Sequence, residues 1–187
     1  MNVFNVNNHN TNKRFSFAFC EALIEKNADE PIFLCVGNSN IVGDLFGPLC
    51  GELLKKQNPH LKIFGTLSSN ITSKNLQNIY SFIKNTYPLN PVVIIDSALG
   101  EEEDVGLVKF LEYGCFPAHK SNNLLMGNLS VLGVVNAVGI SNFMFLKSVK
   151  FNQVLKMANC CVQAILEGLK IKEIYKNLSN NLCNLNG

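Results

Sequence analysis

Two segments of similar design decide the fold of this chain. The first is IFLCVGNSNIVGDLFGP at residues 32–48, and the second is VVIIDSALG at residues 92–100. Each opens with a short apolar run rich in β-branched residues, which is typical of a strand buried on both faces of a parallel sheet. Asp44 lies in the glycine-bounded loop after the first run, and Asp96 directly ends the second run. The sequence therefore predicts two buried strands with one carboxylate beyond each carboxyl end.

The two aspartates are the candidate functional residues. In open α/β sheets, ligands bind in the crevice outside the carboxyl ends of the strands. If the two strands are neighbours, Asp44 and Asp96 face each other there, and paired carboxylates can divide acid and base roles or hold a metal ion. The spacing also permits a structural interpretation, in which Asp44 caps a helix and Asp96 closes a turn. The loop after the first run matches neither phosphate-binding glycine motif, and no lysine is placed to meet a phosphate.

The remaining pattern predicts one α/β domain over residues 12–187, preceded by a loose, polar, Asn-rich leader at 1–11. Apolar residues at helical spacing predict helices over 12–26, 48–57, a segment after Thr72 or Ser73, and 140–169. Short apolar runs predict further strands at 61–65, at 105–111 and at 130–135, and the strand at 105–111 is a candidate edge strand. Strands that alternate with helices indicate a mainly parallel sheet of about five strands with helices on both faces.

Composition excludes several classes of protein. With 47% hydrophobic residues, a net charge of +2 and scattered lysines, the 187-residue chain is typical of a globular protein without a nucleic-acid partner. No apolar run reaches the roughly 18 residues that span a bilayer, and the amino terminus lacks the pattern of a signal peptide. We therefore expect a cytoplasmic protein that does not bind membranes. The seven cysteines include no C-x-x-C pair, which favours core packing over disulfides or zinc.

Four sequence blocks carry a resemblance to a known family. They are CVG at 35–37 with GDLFGP at 43–48, FGTL at 64–67, IDSALG at 95–100, and GVVN at 133–136. In this order and spacing, the chain resembles the YyaC family of sporulation proteins, which are regarded as peptidases of endospore-forming bacteria. That family is similar in turn to the spore germination protease and to the hydrogenase maturation endopeptidases. The resemblance implies a three-layer α/β/α sandwich in the cytoplasm of the sporulating cell or in the spore interior.

The resemblance also implies roles for residues. Asp44 and Asp96 match the acidic positions that are thought to cleave peptide bonds in the germination protease. The hydrogenase endopeptidases use the matching acids, with a histidine, to bind a metal. Here the glycine-rich Pro-Gly-Ala-Gly stretch of YyaC-like chains is replaced by FPAHK at 116–120, which brings His119 into that loop.

Three hypotheses follow for function. The leading one is a peptidase without a cofactor or metal, in which Asp44 and Asp96 cleave a protein or peptide substrate. Asn38 and Asn136 then help to bind the substrate and its developing oxyanion, although asparagine at strand ends often serves turns instead. The second hypothesis is a metal-assisted peptidase with Asp44, Asp96 and His119 as ligands. The third is a non-catalytic binding or scaffold protein of the sporulating cell that retains the peptidase fold.

Overall fold

The computed structural model describes residues 1–27, 30–117, 124–138 and 149–185, with side chains as far as residue 181. The strands are β1 (Asn2–Asn5), β2 (Ile32–Cys35), β3 (Lys62–Phe64), β4 (Val92–Gly100), β5 (Leu107–Leu111) and β6 (Leu129–Ala137). The helices are α1 (Thr11–Glu25), α2 (Phe46–Gln57), α3 (Leu76–Thr86) and α4 (Phe151–Leu185). The helix predicted at 140–169 corresponds to α4, which begins at Phe151. Residues 140–148 of that prediction lie outside the described residues.

The six strands form one sheet in the order β1-β5-β6-β4-β2-β3. Strands β3, β2, β4 and β6 are parallel to one another, whereas β5 runs antiparallel to both β6 and β1. The predicted mainly parallel α/β sheet is therefore confirmed. The strand predicted at 105–111 is not an edge strand, because β1 pairs along its outer side.

The expectation of a loose leader is corrected for residues 2–5, which form β1. Only Phe4 of this strand is buried, with 2% of its surface exposed, and its ring stacks on Phe15 of α1 at a centroid distance of 4.6 Å. One buried aromatic residue among asparagines is too weak a pattern to predict a strand from sequence. Pairing with β5 supplies the backbone hydrogen bonds that fix it.

Helices cover both faces of the sheet and complete a three-layer sandwich. Residues of α1, α2 and α4 form the larger apolar core against one face, together with Phe33, Val93 and Ile95 of the sheet. Residues of α3 form the smaller core against the other face, together with Leu34 and Ile94. No helix in the described ranges is both long enough and apolar enough to cross a membrane.

Strand β4 continues beyond the end predicted for it. Asp96 lies in its middle, and the strand runs on to Gly100 because β6 pairs with it along that length. Its other neighbour, β2, ends at Cys35 opposite Ile95. The two longer strands therefore extend past the end of β2, and the step that this leaves in the sheet beside Asp96 is called the notch below.

Candidate functional site

Asp44 lies at the end of a single 3₁₀ turn, Val42–Asp44, between β2 and α2. Its Oδ2 accepts a hydrogen bond of 2.9 Å from the main-chain N–H of Asn38. Burial raises the pKa of this half-buried carboxyl from 3.8 to about 6, and the hydrogen bond from Asn38 lowers it by a smaller amount. Asp44 can therefore exchange a proton close to neutral pH, as a general acid or base requires.

Two glycines allow the chain to hold Asp44 in this position. Gly37 has a φ of 144°, and a Cβ there would lie 2.1 Å from the carbonyl oxygen of Asp44. A Cβ on Gly47 would lie 2.1 Å from the carbonyl oxygen of Val36 and 2.6 Å from that of Ile95. The start of α2 therefore rests directly on the backbone of β2 and β4. Larger residues at either position would push the turn away from the sheet.

Asn38 contributes its backbone to the site and its side chain to a turn. The Asn38 N–H also donates to the main-chain oxygen of Asp44, at 3.1 Å. Its side-chain Oδ1 accepts from the N–H of Asn40 at 3.0 Å. The turn-forming interpretation thus describes the Asn38 side chain in this structure, and a substrate-binding role for that side chain stays a prediction.

Asp96 is buried, with 6% of its surface exposed. Its Oδ1 accepts a hydrogen bond of 2.8 Å from the N–H of Ser97. Since side chains alternate along a strand, Asp96 points to the same face as Val92 and Ile94, which is the face covered by α3. The thiol of Cys115 lies close enough that the charge of Asp96 raises its pKa.

Burial is the main influence on the pKa of the Cys115 thiol. Burial raises the pKa of the Cys115 thiol to about 11, a hydrogen bond from Ser130 lowers it, and the charge of Asp96 has a smaller raising effect. Such a thiol remains protonated at neutral pH and is not an activated nucleophile. Cys115 therefore belongs to the packing beneath Asp96.

The two aspartates follow neighbouring strands, but the turn that carries Asp44 and the side chain of Asp96 lie on different sides of the sheet. Strands β2 and β4 pair in parallel register, as the hypothesis of a shared site requires. The turn Val42–Asp44 contacts both β4 and α4, so it lies on the side covered by α2 and α4. Asp96 points toward the side covered by α3. The turn that carries Asp44 thus lies on one side of the sheet, and the side chain of Asp96 points to the other.

Asn136 lies farther along the sheet than the aspartates. It pairs with Leu99, whereas Asp96 pairs with Leu132, four residues earlier on β6. Because β6 carries a bulge here, this stretch matches three residues of β4, which at about 3.3 Å per residue span about 10 Å. The Oδ1 of Asn136 accepts from the N–H of Ala137 at 2.9 Å. A substrate role for Asn136 stays a prediction and would require a substrate that extends along β6.

Reasoning from sequence missed Ser97. Its hydroxyl oxygen is buried and has no hydrogen-bond partner in the described structure. The only signal in the sequence was a serine directly after Asp96, inside an otherwise apolar segment. That signal is too common to single out a residue.

The metal hypothesis stays a prediction, because one of its three ligands is not described. His119 lies outside the described residues, and among the described ones no three His, Cys, Asp or Glu side chains are grouped so that they could hold a metal ion. A cavity of about 560 Å³ lies at the other end of the sheet, where His60 and Lys62 face Lys172 of α4. We do not assign it to the site, because neither aspartate lines it and its walls carry charges of both signs.

These features define a class: an α/β/α sandwich in which a carboxylate-bearing turn covers the end of a short central strand. Within this class, the chain belongs to the family DUF1256, described as proteins of unknown function, whose profile matches residues 3–164. It is 29% identical over 154 residues to a protein of Bacillus subtilis (strain 168) named "Uncharacterized protein YyaC". The match covers 80% of this chain and 73% of that protein. The resemblance to the YyaC family is thereby confirmed.

Proposed function

We propose that this protein is a peptidase of the sporulating cell that uses Asp44 and Asp96. The observation that carries the proposal is the state of Asp44, whose pKa is raised to about 6 by burial at the end of β2. If Asp44 only capped a helix at the protein surface, its carboxyl would not need to be buried. The sporulation setting and the peptide substrate rest on the resemblance to the YyaC family and, through it, to the germination protease.

In the proposed reaction, ionised Asp44 is the general base. It removes a proton from a water molecule as the water oxygen forms a bond to the peptide carbonyl carbon. Asp96, in its protonated form, hydrogen-bonds the carbonyl oxygen and then gives its proton to the leaving amine as the C–N bond breaks. Transfer of the proton from Asp44 back to Asp96 through solvent restores the enzyme. The substrate would cross the notch at the end of β2, between the two flanking carboxyls.

The test compares wild type with Asp44→Asn and Asp96→Asn, each incubated with protein extracts of dormant spores. Newly formed peptide termini are measured by mass spectrometry. Glu103→Gln is the matched control, because Glu103 is an exposed carboxylate outside the site. We expect new termini with wild type and the control, and none with either aspartate variant.

Two results would count against the proposal. Cleavage at the wild-type rate by either aspartate variant would remove that residue from the catalytic role. A wild-type protein that generates no new termini would instead favour the non-catalytic binding or scaffold protein. Circular dichroism of each variant separates loss of chemistry from loss of fold.

A further inference from the structure

The hydroxyl of Ser97 is a buried polar group without a hydrogen-bond partner in the part of the chain that the structure describes. Buried hydroxyls in proteins are nearly always paired, since leaving one unpaired destabilises the fold. Alanine at this position would remove the unpaired group and keep the strand. The presence of serine here therefore points to a use outside the folding of the apoprotein.

The sheet places this hydroxyl on the same side as Asp44. Ser97 lies between Ile95 and Leu99 on β4, and both of these pack into the core formed with α2 and α4. Alternation along the strand turns the Ser97 side chain to that same face. The turn Val42–Asp44 lies against β4 on this side.

The opposing strand and the start of α2 enclose the position. Ser97 pairs with Gly133 of β6. A Cβ on Gly133 would lie 2.8 Å from the ring of Phe46, which follows Asp44 by two residues. Phe46 therefore covers the sheet beside Ser97, and the chain that leads into Phe46 carries Asp44. Phe46 and the turn that carries Asp44 therefore lie over the face of the sheet to which the Ser97 side chain points.

Ser97 also contacts the other aspartate, through its backbone. Its N–H donates to Asp96 Oδ1 at 2.8 Å. One residue thus fixes the Asp96 carboxyl with its main chain while its side chain points to the Asp44 side.

We infer that Ser97 is a third catalytic residue, whose hydroxyl holds the attacking water together with Asp44. This inference rests on the proposed peptidase function. The hydroxyl donates its hydrogen to one lone pair of the water oxygen, while Asp44 accepts a proton from that water. The second lone pair then attacks the peptide carbonyl. A water held by two or more polar groups is the arrangement that buried waters adopt in proteins.

The first test is Ser97→Ala, compared with Ser16→Ala as the matched control. The hydroxyl of Ser16 is buried as well, but it donates to the carbonyl oxygen of Lys13 at 2.9 Å within α1, far from the site in sequence. We expect Ser97→Ala to lower kcat at least tenfold with little change in KM, and to melt at or above the wild-type temperature. Ser16→Ala should retain wild-type kcat. A wild-type kcat in Ser97→Ala would overturn the inference.

The second test does not need activity. The Asp44 carboxyl is titrated by carbon-13 NMR in wild type and in Ser97→Ala. Loss of a donor to the shared water should raise the pKa of Asp44 further, by about half a unit or more. An unchanged pKa would overturn the inference even if cleavage is observed. If wild type cleaves nothing, the peptidase proposal fails, and a shifted pKa would still show that Ser97 and Asp44 share a hydrogen-bonded group.

Discussion

The main-chain N–H of Asn38 donates to Oδ2 of Asp44 at 2.9 Å and is also 3.1 Å from the carbonyl oxygen of that residue. One amide thus ties the start of the loop after β2 to its end, six residues later. The carboxyl is held in place by a backbone group, which among the twenty residues only proline at position 38 would remove. Because the surrounding turn also buries it, the carboxyl is both fixed and easier to protonate than an ordinary aspartate. This relationship gives rise to the first two predictions.

Asp44→Asn should stabilise the protein at neutral pH. The pKa of Asp44 in the folded protein is about 6, above its ordinary value of 3.8, so the folded state binds more protons between these values than the unfolded state does. Stability due to this group therefore falls as pH rises from about 4 to about 6. The difference between these two pKa values corresponds to at most about 3 kcal/mol in the free energy of unfolding. We expect a gain of only about 1–2 kcal/mol, because Asp44 is partly exposed and because asparagine accepts a weaker hydrogen bond from Asn38 than a carboxylate does.

Thermal melting at several pH values checks this prediction. The asparagine variant should melt about 2–8 °C above wild type at pH 7.5, and the two should converge below about pH 4. A variant that is less stable than wild type at pH 7.5 would show that the carboxylate stabilises the turn, against the effect of burial.

Peptide cleavage should require the ionised form of Asp44. As pH falls below about 6, kcat/KM should decline and approach a tenfold loss per pH unit, because the base becomes protonated. The Glu103→Gln control should show the same profile. Initial rates at constant ionic strength between pH 4.5 and 8 measure it, and a flat profile across pH 5–7 would exclude Asp44 as the base.

The cysteine thiols should be free but slow to react in the folded protein. Burial raises the pKa of Cys35 and Cys50 far above the usual range, and that of Cys115 and Cys160 to about 11. Thiolate, the reactive form, is therefore scarce at neutral pH. Titration under denaturing, non-reducing conditions should find all seven thiols of the sequence, whereas in native protein the same reagent should modify Cys35, Cys50, Cys115 and Cys160 slowly. Fewer than seven thiols in protein kept reduced in the cell would indicate a disulfide or a thiolate-bound metal.

Gly47→Ala should unfold the turn that carries Asp44. Alanine normally favours a helix over glycine by about 1 kcal/mol, but here its Cβ would lie 2.1 Å from a backbone oxygen that cannot move. We expect a loss of about 3 kcal/mol or more in the free energy of unfolding. Gly100→Ala is the control, since its Cβ would meet the side chain of Val134 at 3.0 Å, which can yield. Urea unfolding compares the two, and equal stability would show that α2 shifts without cost.

Nickel and zinc should not stabilise the protein. Two carboxylates alone form a weak site for ions that favour nitrogen or sulfur donors. A true site at a hundred times its dissociation constant would add about 2.7 kcal/mol, which corresponds to a rise of about 5–10 °C in melting temperature. Melting with and without each ion, after mild chelation, measures the effect. A rise of that size that disappears in His119→Ala would establish the metallopeptidase instead.

The sequence by itself determined the central layers of the fold. Strands β2 and β4 were predictable because a strand buried on both faces must be apolar without interruption, and few other structures share that short pattern. Helices α1 and α2 followed from apolar spacing. The positions of Asp44 and Asp96 just beyond the two apolar runs were also evident. These strands, helices and positions can be predicted from the sequence because each depends on residues that are close together in the chain.

Only the tertiary structure decided the rest, because it depends on which segments pack together. Residues 2–5 became a strand because β5 offered a free edge, and β4 continued past Asp96 because β6 paired with it. The pKa of Asp44 is set by how α2 and the sheet enclose its turn, which no local pattern encodes. The same is true of Ser97, whose hydroxyl lacks a partner among the described residues only because of what surrounds it on that face. Sequence thus placed the candidate acids, and long-range packing determined the environment on which their chemistry depends.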